Sequence, residues 1–460
     1  MYVHDTIVAP ATPAGNGAVA IVRLSGPKTR AILESIWRPT ARATALEARR
    51  LHLGEVIDPE SNGVIDRAMA VFFTAPRSLT GEDVAELQCH GGSYLVHRVC
   101  DLAMRMGARF AEPGEFTRRA FLNRRIDLLE AEAIADLIEA RGDAGLRQAV
   151  AQMTGALADK FAGLRAALIS IRAHLEAEID FSDEGLNLPS RGEIAASIES
   201  VSNNVALLHG TYERGRMLRV GPHVAIVGKP NVGKSSVLNL LVGRDRAIVT
   251  GTPGTTRDVM EESIQCGSYS LTLQDTAGIR ASHDEIEELG IERSKQSLKD
   301  CDLMIAVFDS SLQLTEEDAA IAHQVRGKAG VALLNKSDLP AKTTSHALRE
   351  SGIEVPILSF SALRAHGLDS LKSEMIKILD EMTGSHKSEQ MAISRERHRD
   401  ALERALDALA SAKRSATDSM PPEIIAVDLS LAADALGQIT GEIHTEDILD
   451  AVFREFCIGK

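Results

Sequence analysis

Gly228-Lys229-Pro230-Asn231-Val232-Gly233-Lys234-Ser235 decides how this chain folds. It follows a short apolar run, His223 to Val227, and opens an apolar-periodic stretch, Val237 to Val242. Strand, glycine loop and helix in that order form the context of a phosphate-binding loop. The glycines let the backbone curl so that its N–H groups point at phosphate oxygens, and the helix N-terminus adds its dipole. Lys234 supplies a point charge for the β- and γ-phosphates, and the Ser235 hydroxyl is placed to ligate Mg²⁺. Val232, Gly233 and Ser236 complete the set expected around the phosphates.

Other segments say which nucleotide is bound. Asn335-Lys336-Ser337-Asp338 follows the apolar run Gly330 to Leu334. A carboxylate there can accept from guanine N1–H and its 2-amino group together. Adenine offers neither donor, so Asp338 would be left unpaired against ATP. Ser361-Ala362, after the strand-like Glu354 to Leu358, is expected to support the base from the other side. Asp275-Thr276-Ala277-Gly278, after Ser270 to Gln274, supplies an aspartate near Mg²⁺ and a glycine near the γ-phosphate. Between them, Thr255-Thr256-Arg257-Asp258 holds the threonine that closes over Mg²⁺. Four short motifs in this order over one domain length resemble the translation-factor-related class of P-loop GTPases.

Within that class the residue after Gly278 is informative. It is Ile279, which cannot orient an attacking water. Glu287, in Asp284-Glu285-Ile286-Glu287-Glu288, is a candidate for that task; the same acidic run also reads as the solvated start of a helix. Asn231, with Thr250, Thr252 and Thr255, offers neutral oxygens around the phosphates. Such donors suit K⁺, acting where an arginine finger otherwise would, although Arg257 stays open as that finger.

At 460 residues, with 44% apolar and 25% charged, the chain is globular with two or three domains. No run of eighteen apolar residues suggests a membrane span. Met1 to Asp5 has no basic and apolar leader pattern. Five scattered cysteines without CxxC spacing fit a reducing, cytoplasmic setting and no structural zinc. A net charge of −14 and one tryptophan argue against a chain that wraps nucleic acid unaided. Arg118, Arg119, Arg124 and Arg125 form one basic cluster, readable as surface or as a phosphate tracker.

Three textures follow one another. Residues 1–120 alternate strand-like runs (Ala18 to Leu24, Arg67 to Phe73, Val84 to Cys89) with Gly- and Pro-rich turns and read as α+β. Residues 121–219 show helical spacing, as in Leu164, Leu168, Ile171 and Leu175. The α/β GTPase domain is expected over 220–380, and helical texture returns over 381–460. The expectation is a multidomain chain. It would have an α+β N-terminal domain, a discontinuous helical domain and an inserted Ras-like P-loop GTPase domain. Thr383 to Glu389 is the expected hinge.

The chain further resembles the MnmE (TrmE) family of tRNA-modification GTPases. The resemblance rests on Asp5 to Ala9, Ile21 to Gly26, Thr80-Gly81-Glu82-Asp83, His90-Gly91-Gly92 and Pro113 to Asn123. It also rests on Gly254 to Asp258 and on Phe456-Cys457-Ile458-Gly459-Lys460. It implies a cytoplasmic homodimer joined through the N-terminal domain. With the flavoprotein MnmG, which holds FAD and uses NADH, the family adds an aminomethyl-type (carboxymethylaminomethyl) group to C5 of the wobble uridine of certain tRNAs. The one-carbon unit comes from a tetrahydrofolate, as the 5-formyl or 5,10-methylene derivative. GTP hydrolysis is implied to start when two GTPase domains meet with K⁺ present. Asn231, Thr250, Thr252 and Thr255 match the K⁺ region, Ser235 and Thr256 the Mg²⁺ ligands, and Glu287 the water-orienting acid.

For folate the resemblance implies Glu86, Arg23, Arg125 and Lys460. A pterin shares guanine's 2-amino-4-oxo edge, so a carboxylate such as Glu86 can read it, and the cations can neutralise the glutamate tail. The family has lysine where this chain has Arg125, which keeps the charge and changes the geometry. Glu86 also reads as a helix cap, and Lys460 as a frayed end. Cys457 is a candidate nucleophile toward a folate carbon or C6 of uridine if Lys460 lowers its thiol below the usual value of about 8.5. It reads equally as a small residue docking the tail. Two rivals remain: an RNA- or ribosome-binding assembly GTPase, and a helical scaffold that uses GTP to dimerise.

Overall fold

The computed structural model describes residues 5–40, 46–181, 188–245, 262–274, 298–384 and 391–460. They fall into two compact units.

The first unit comprises residues 1–135, 158–165 and 434–460. Its strands are β1 (Ile7–Pro10), β2 (Gly17–Ser25), β3 (Trp37–Pro39), β4 (His52–Ile57), β5 (Val64–Phe73), β6 (Val84–Gly91) and β7 (Arg109–Phe110). They form one sheet in the order β3-β4-β5-β6-β2-β1-β7, antiparallel except where β1 meets β7. Alternation along β2 decides which side chains stay available. Ala20, Val22 and Leu24 are buried, with Ile32, Leu33 and Ile36 of the helix Thr29–Ile36 and Val99 and Leu102 of the helix Ser93–Arg105. Arg23 and its register partner Glu86 on β6 therefore occupy the opposite face. A second cluster joins Phe121 and Leu128 to Leu449, Val452, Phe453 and Phe456, which seats the end of the chain on this unit.

The second unit comprises residues 136–157 and 166–433. Its strands are β8 (His223–Val227), β9 (Glu262–Cys266), β10 (Tyr269–Gln274), β11 (Leu303–Asp309), β12 (Gly330–Asn335) and β13 (Ile357–Ser359), in the order β13-β12-β11-β8-β10-β9. All are parallel except β9. Strands β11 and β12 are buried along their whole length, as a parallel sheet covered on both faces requires. Val224, Ile305 and Leu333 pack with Leu371 and Met375 of the helix Leu368–Thr383 on one side. Met304, Phe308 and Ala332 pack with Ala322 and Leu348 on the other. The strand expected from Glu354 begins later, at Ile357, because Pro356 lacks the N–H a ladder needs.

The helices Arg191–His209 and Glu396–Thr417 lie side by side in this unit although the sheet separates them in sequence. Ser190 and Glu193 form a capping box that starts the first helix. The helical domain is thus assembled from two distant segments, with the P-loop domain inserted between them. The second helix begins at a buried ion pair, Arg395 Nη2 to Asp136 Oδ1 at 2.6 Å. Among the described residues, no helix is long and apolar enough to cross a membrane.

Candidate functional site

Ligands of open parallel sheets lie beyond the carboxyl ends of the strands. Here the ends of β8, β11 and β12 bring the 228–235 loop, Asp309 and the Asn335 turn together. In the loop, Asn231 and Gly233 take φ values of 62° and 103°. A Cβ on Gly233 would stand 2.3 Å from Asn335 Nδ2, so the loop tolerates no side chain there. Lys234 opens the helix Lys234–Asp245, and its Nζ donates to the carbonyls of Gly228 (2.7 Å) and Lys229 (2.9 Å). Burial holds the Lys234 ammonium below its ordinary pKa. Lys229 points elsewhere: its Nζ pairs with Asp318 Oδ2 at 2.6 Å and reaches Thr315 Oγ1 at 3.3 Å.

Asn335 is 2% exposed. Its Nδ2 donates to Val232 O at 2.8 Å, and its Oδ1 accepts from Ala362 N at 3.0 Å. Both ends of the amide therefore serve as a strut between three loops. Lys336, at φ 62°, donates to Asn231 O at 2.8 Å and pairs with Asp309 Oδ2 at 2.6 Å. Asp338 accepts from Ser361 Oγ at 2.5 Å, and that bond holds its carboxyl below the usual range. Ser361 Oγ also accepts from Arg364 N at 3.2 Å. The carboxylate is thus ionised and aimed by its neighbour, which is what reading two adjacent N–H donors demands.

The second constellation lies in the first unit. Arg23 Nε pairs with Glu86 Oε1 at 2.8 Å, its Nη1 donates to Gly459 O at 3.2 Å, and its guanidinium sits 5.7 Å from the Phe116 ring centroid. Glu86 Oε2 accepts no hydrogen bond from the described residues, so one carboxylate oxygen is left for an N–H donor. Glu86 lies within β6 and caps no helix. The tail is not frayed: Phe116 N donates to Lys460 O at 3.1 Å and Gly114 N to Cys457 O at 3.4 Å. Gly459 has φ 93°, and a Cβ there would stand 1.9 Å from Pro10 O. Arg125 lines the Gly81 turn, its Cγ 3.3 Å from where a Gly81 Cβ would stand, and its guanidinium has no acidic partner among the described residues.

Arg118 and Arg119 are not part of a free basic surface. Arg119 is buried against Asp5 (2.5 Å), Glu82 (3.1 Å) and Glu115 (2.9 Å), and Arg118 pairs with Glu446 and Asp450. Cys457 is exposed, which removes its reading as a buried docking residue. Cys89, Cys100 and Cys266 are buried, and desolvation pushes the thiols of Cys89 and Cys100 up to about 11 and about 12.

The pattern of the MnmE helical domain matches residues 128–457, and that of the GTP-binding protein TrmE N-terminus matches residues 6–125. The chain is 42% identical over 462 residues to the tRNA modification GTPase MnmE of Moorella thermoacetica, covering 99% of each chain. It is 39% identical over 459 residues to that of Natranaerobius thermophilus, covering 99% of this chain and 100% of the relative. For that of Geobacter sulfurreducens the identity is 40% over 460 residues, with both chains covered in full. The chain belongs to the MnmE family of tRNA modification GTPases.

As a member of the MnmE family it is a GTP hydrolase that takes part in tRNA modification. Of the expected GTP site, Asn231 to Ser236, Asn335, Lys336, Asp338, Ser361 and Ala362 are described and lie together. Thr250, Thr252, Thr255, Thr256, Asp275 to Gly278, Ile279 and Glu287 lie outside the described residues, as does most of the expected hinge. Of the expected metal donors, Ser235 and Asn231 are described; a hydroxyl and an amide carbonyl are neutral oxygen donors of the kind hard cations accept. The motif reading missed Asp309 and Asp318, which hold Lys336 and Lys229. An aspartate closing the apolar run Leu303 to Phe308 marks the carboxyl end of a central strand, a signal that would have found Asp309.

Proposed function

We propose that this chain modifies C5 of the wobble uridine in certain tRNAs, together with the flavoprotein MnmG, and uses a tetrahydrofolate derivative bound to its N-terminal domain. The observation that carries this reading is the seat of the tail. Arg23 is held between the Glu86 carboxylate and the Gly459 carbonyl, so the Cys457 to Lys460 segment lies beside a carboxylate with a spare acceptor. The folate, in its 5-formyl or 5,10-methylene form, supplies the one-carbon unit. Glu86 reads the 2-amino-4-oxo edge of the pterin as Asp338 reads guanine, and Arg125 and Lys460 face the glutamate tail. Cys457, exposed at the end of the tail, is the candidate nucleophile. FAD and NADH belong to the partner.

The functional division we propose is 1–120 for folate binding and dimerisation, 121–219 with 381–460 for the helical domain, and 220–380 for GTP hydrolysis. The chain acts as a cytoplasmic homodimer. The motif residues Val232 to Ser236, Asp275 to Gly278, Asn335 to Asp338, Ser361 and Ala362 bind GTP, with Ser235 and Thr256 on Mg²⁺. Pairing of two GTPase domains starts hydrolysis, with Asn231, Thr250, Thr252 and Thr255 around K⁺ and Glu287 orienting water. The cation supplies the positive charge that an arginine finger provides elsewhere.

Calorimetry of 5-formyltetrahydrofolate with wild type and Glu86→Gln tests the folate assignment. The variant keeps GTPase activity and loses roughly tenfold or more in folate affinity, the order of one charge-assisted hydrogen bond. Equal affinity for both proteins overturns it.

A further inference from the structure

Asp309 ends β11, opposite Asn335 in register on β12. Its side chain is 3% exposed and accepts three bonds: from Ser311 N (2.9 Å), Ser311 Oγ (2.6 Å) and Lys336 Nζ (2.6 Å). Burial alone would raise its pKa, but the Lys336 ammonium and the Ser311 donors outweigh it and hold the carboxyl below the ordinary range. The group is therefore charged at neutral pH. Next to it, Ser310 N donates to Asn335 O at 2.9 Å, which fixes the strand end to the base turn. Lys336 then reaches across to the carbonyl of Asn231 at 2.8 Å. One line of contacts runs from a buried carboxylate through a lysine to the phosphate loop.

We propose that Asp309 is a positioning residue for guanine-nucleotide binding: it fixes the Lys336 ammonium so that this lysine locks the 335–338 turn onto the phosphate loop. The inference rests on the reading of Asp338 as the group that recognises guanine. A lysine side chain has many rotamers to lose, and a single carbonyl is a weak anchor for it. A buried carboxylate that is itself held by Ser311 removes that freedom before the nucleotide arrives, so less is lost on binding. Asp309 lies behind Lys336 and acts through it. Its other two donors come from Ser311, two residues along its own chain, so among the described residues Lys336 is the one side-chain contact through which the carboxylate holds a separate loop.

Stopped-flow release of mant-GDP from the full-length protein tests the link. Asp309→Asn keeps the shape and removes the charge, and release accelerates about tenfold, the order of one hydrogen bond to a charged group. In a Lys336→Met background the same substitution changes release less than twofold, because the link is already gone. Ser311→Ala, which removes a donor without touching Lys336, also stays within twofold of wild type. Wild-type release from Asp309→Asn, or effects of the two substitutions that add in full, overturns the proposal. If Asp309→Asn fails to fold, Lys336→Met probes the link from the other side, and wild-type release from it overturns the proposal equally. Asp338→Asn separates the two readings. It should exchange GDP for XDP preference, since an amide N–H₂ meets the 2-oxo group of xanthine. Retained GDP preference sinks the base-reading role of Asp338, while the Asp309–Lys336 coupling is still measured on its own.

Discussion

Asn335 Nδ2 donates to the Val232 carbonyl at 2.8 Å, joining the base-recognition turn to the phosphate loop inside one buried amide. The other end of that amide takes Ala362 N. Asn335→Ala leaves the buried Val232 carbonyl and the part-buried Ala362 N–H without this partner, and the buried group alone costs about 1–3 kcal/mol. The expected outcome is at least tenfold weaker GDP binding and a lower melting temperature of the nucleotide-free protein. Binding at wild-type strength would mean the strut is redundant.

The tail seat depends on one residue without a side chain. At Gly459 a methyl group meets Pro10 O at 1.9 Å, and the backbone sits at φ 93°, which L-residues rarely adopt. Gly459→Ala should displace the last residues from Arg23. Folate binding and wobble modification then fall at least tenfold, while GTP turnover stays within twofold of wild type. The pair of assays distinguishes a local lesion from a folding defect, in which both activities fall together.

Thiol reactivity should be ordered by exposure and charge. Cys457 is exposed, whereas Cys89 and Cys100 are buried with their thiols pushed up to about 11 and about 12. Alkylation of the native protein at neutral pH, read by peptide mass spectrometry, should mark Cys457 first and leave Cys89 and Cys100 unmodified until denaturant is added. Early labelling of Cys89 or Cys100 would contradict the core packing around β6. Cys457→Ser is expected to keep GTPase activity and to lose tRNA modification.

Acid should attack the first unit through Asp5 and Glu115. Burial raises both carboxyls, but hydrogen bonds and charges from Arg109 and Arg119 outweigh it, so both lie below their ordinary values. A depressed folded pKa contributes stability that is full above the unfolded value, about 4, and is lost as pH falls through the folded value. Asp5→Asn should lower the melting temperature at pH 7 and flatten its fall between about pH 5 and pH 3. Melting curves of the two proteins that run parallel across that window would show the network to be electrostatically silent.

The parts legible in the chain are those written in local pattern. The short apolar runs His223 to Val227 and Gly330 to Leu334 read as strands of a P-loop domain once a glycine loop followed the first. Ser361 could be set against Asp338 because both follow such runs. What stayed hidden depends on partners far away in sequence. Arg118 and Arg119 read as a basic surface because Asp5, Glu446 and Asp450 cannot be assigned to them without the fold. The short edge strands β3 and β7 carry too few residues to show a period. A loose end stayed open as one reading of Lys460 because the anchors of the tail, Phe116 N and the Pro10 turn, are supplied by tertiary packing. Asp309 belongs to none of the short motifs, so its pairing with Lys336 shows only in the fold.

The most direct test of the proposed chemistry is mass spectrometry of wobble nucleosides from tRNA treated with this protein and MnmG, with GTP, K⁺, FAD, NADH and an amine donor for the aminomethyl nitrogen, in the presence and absence of a tetrahydrofolate one-carbon donor. The expected result is a C5 aminomethyl-type adduct that requires the folate, carries its labelled carbon, and disappears with Glu86→Gln. An adduct formed in full without folate, or formed equally by Glu86→Gln, would contradict it.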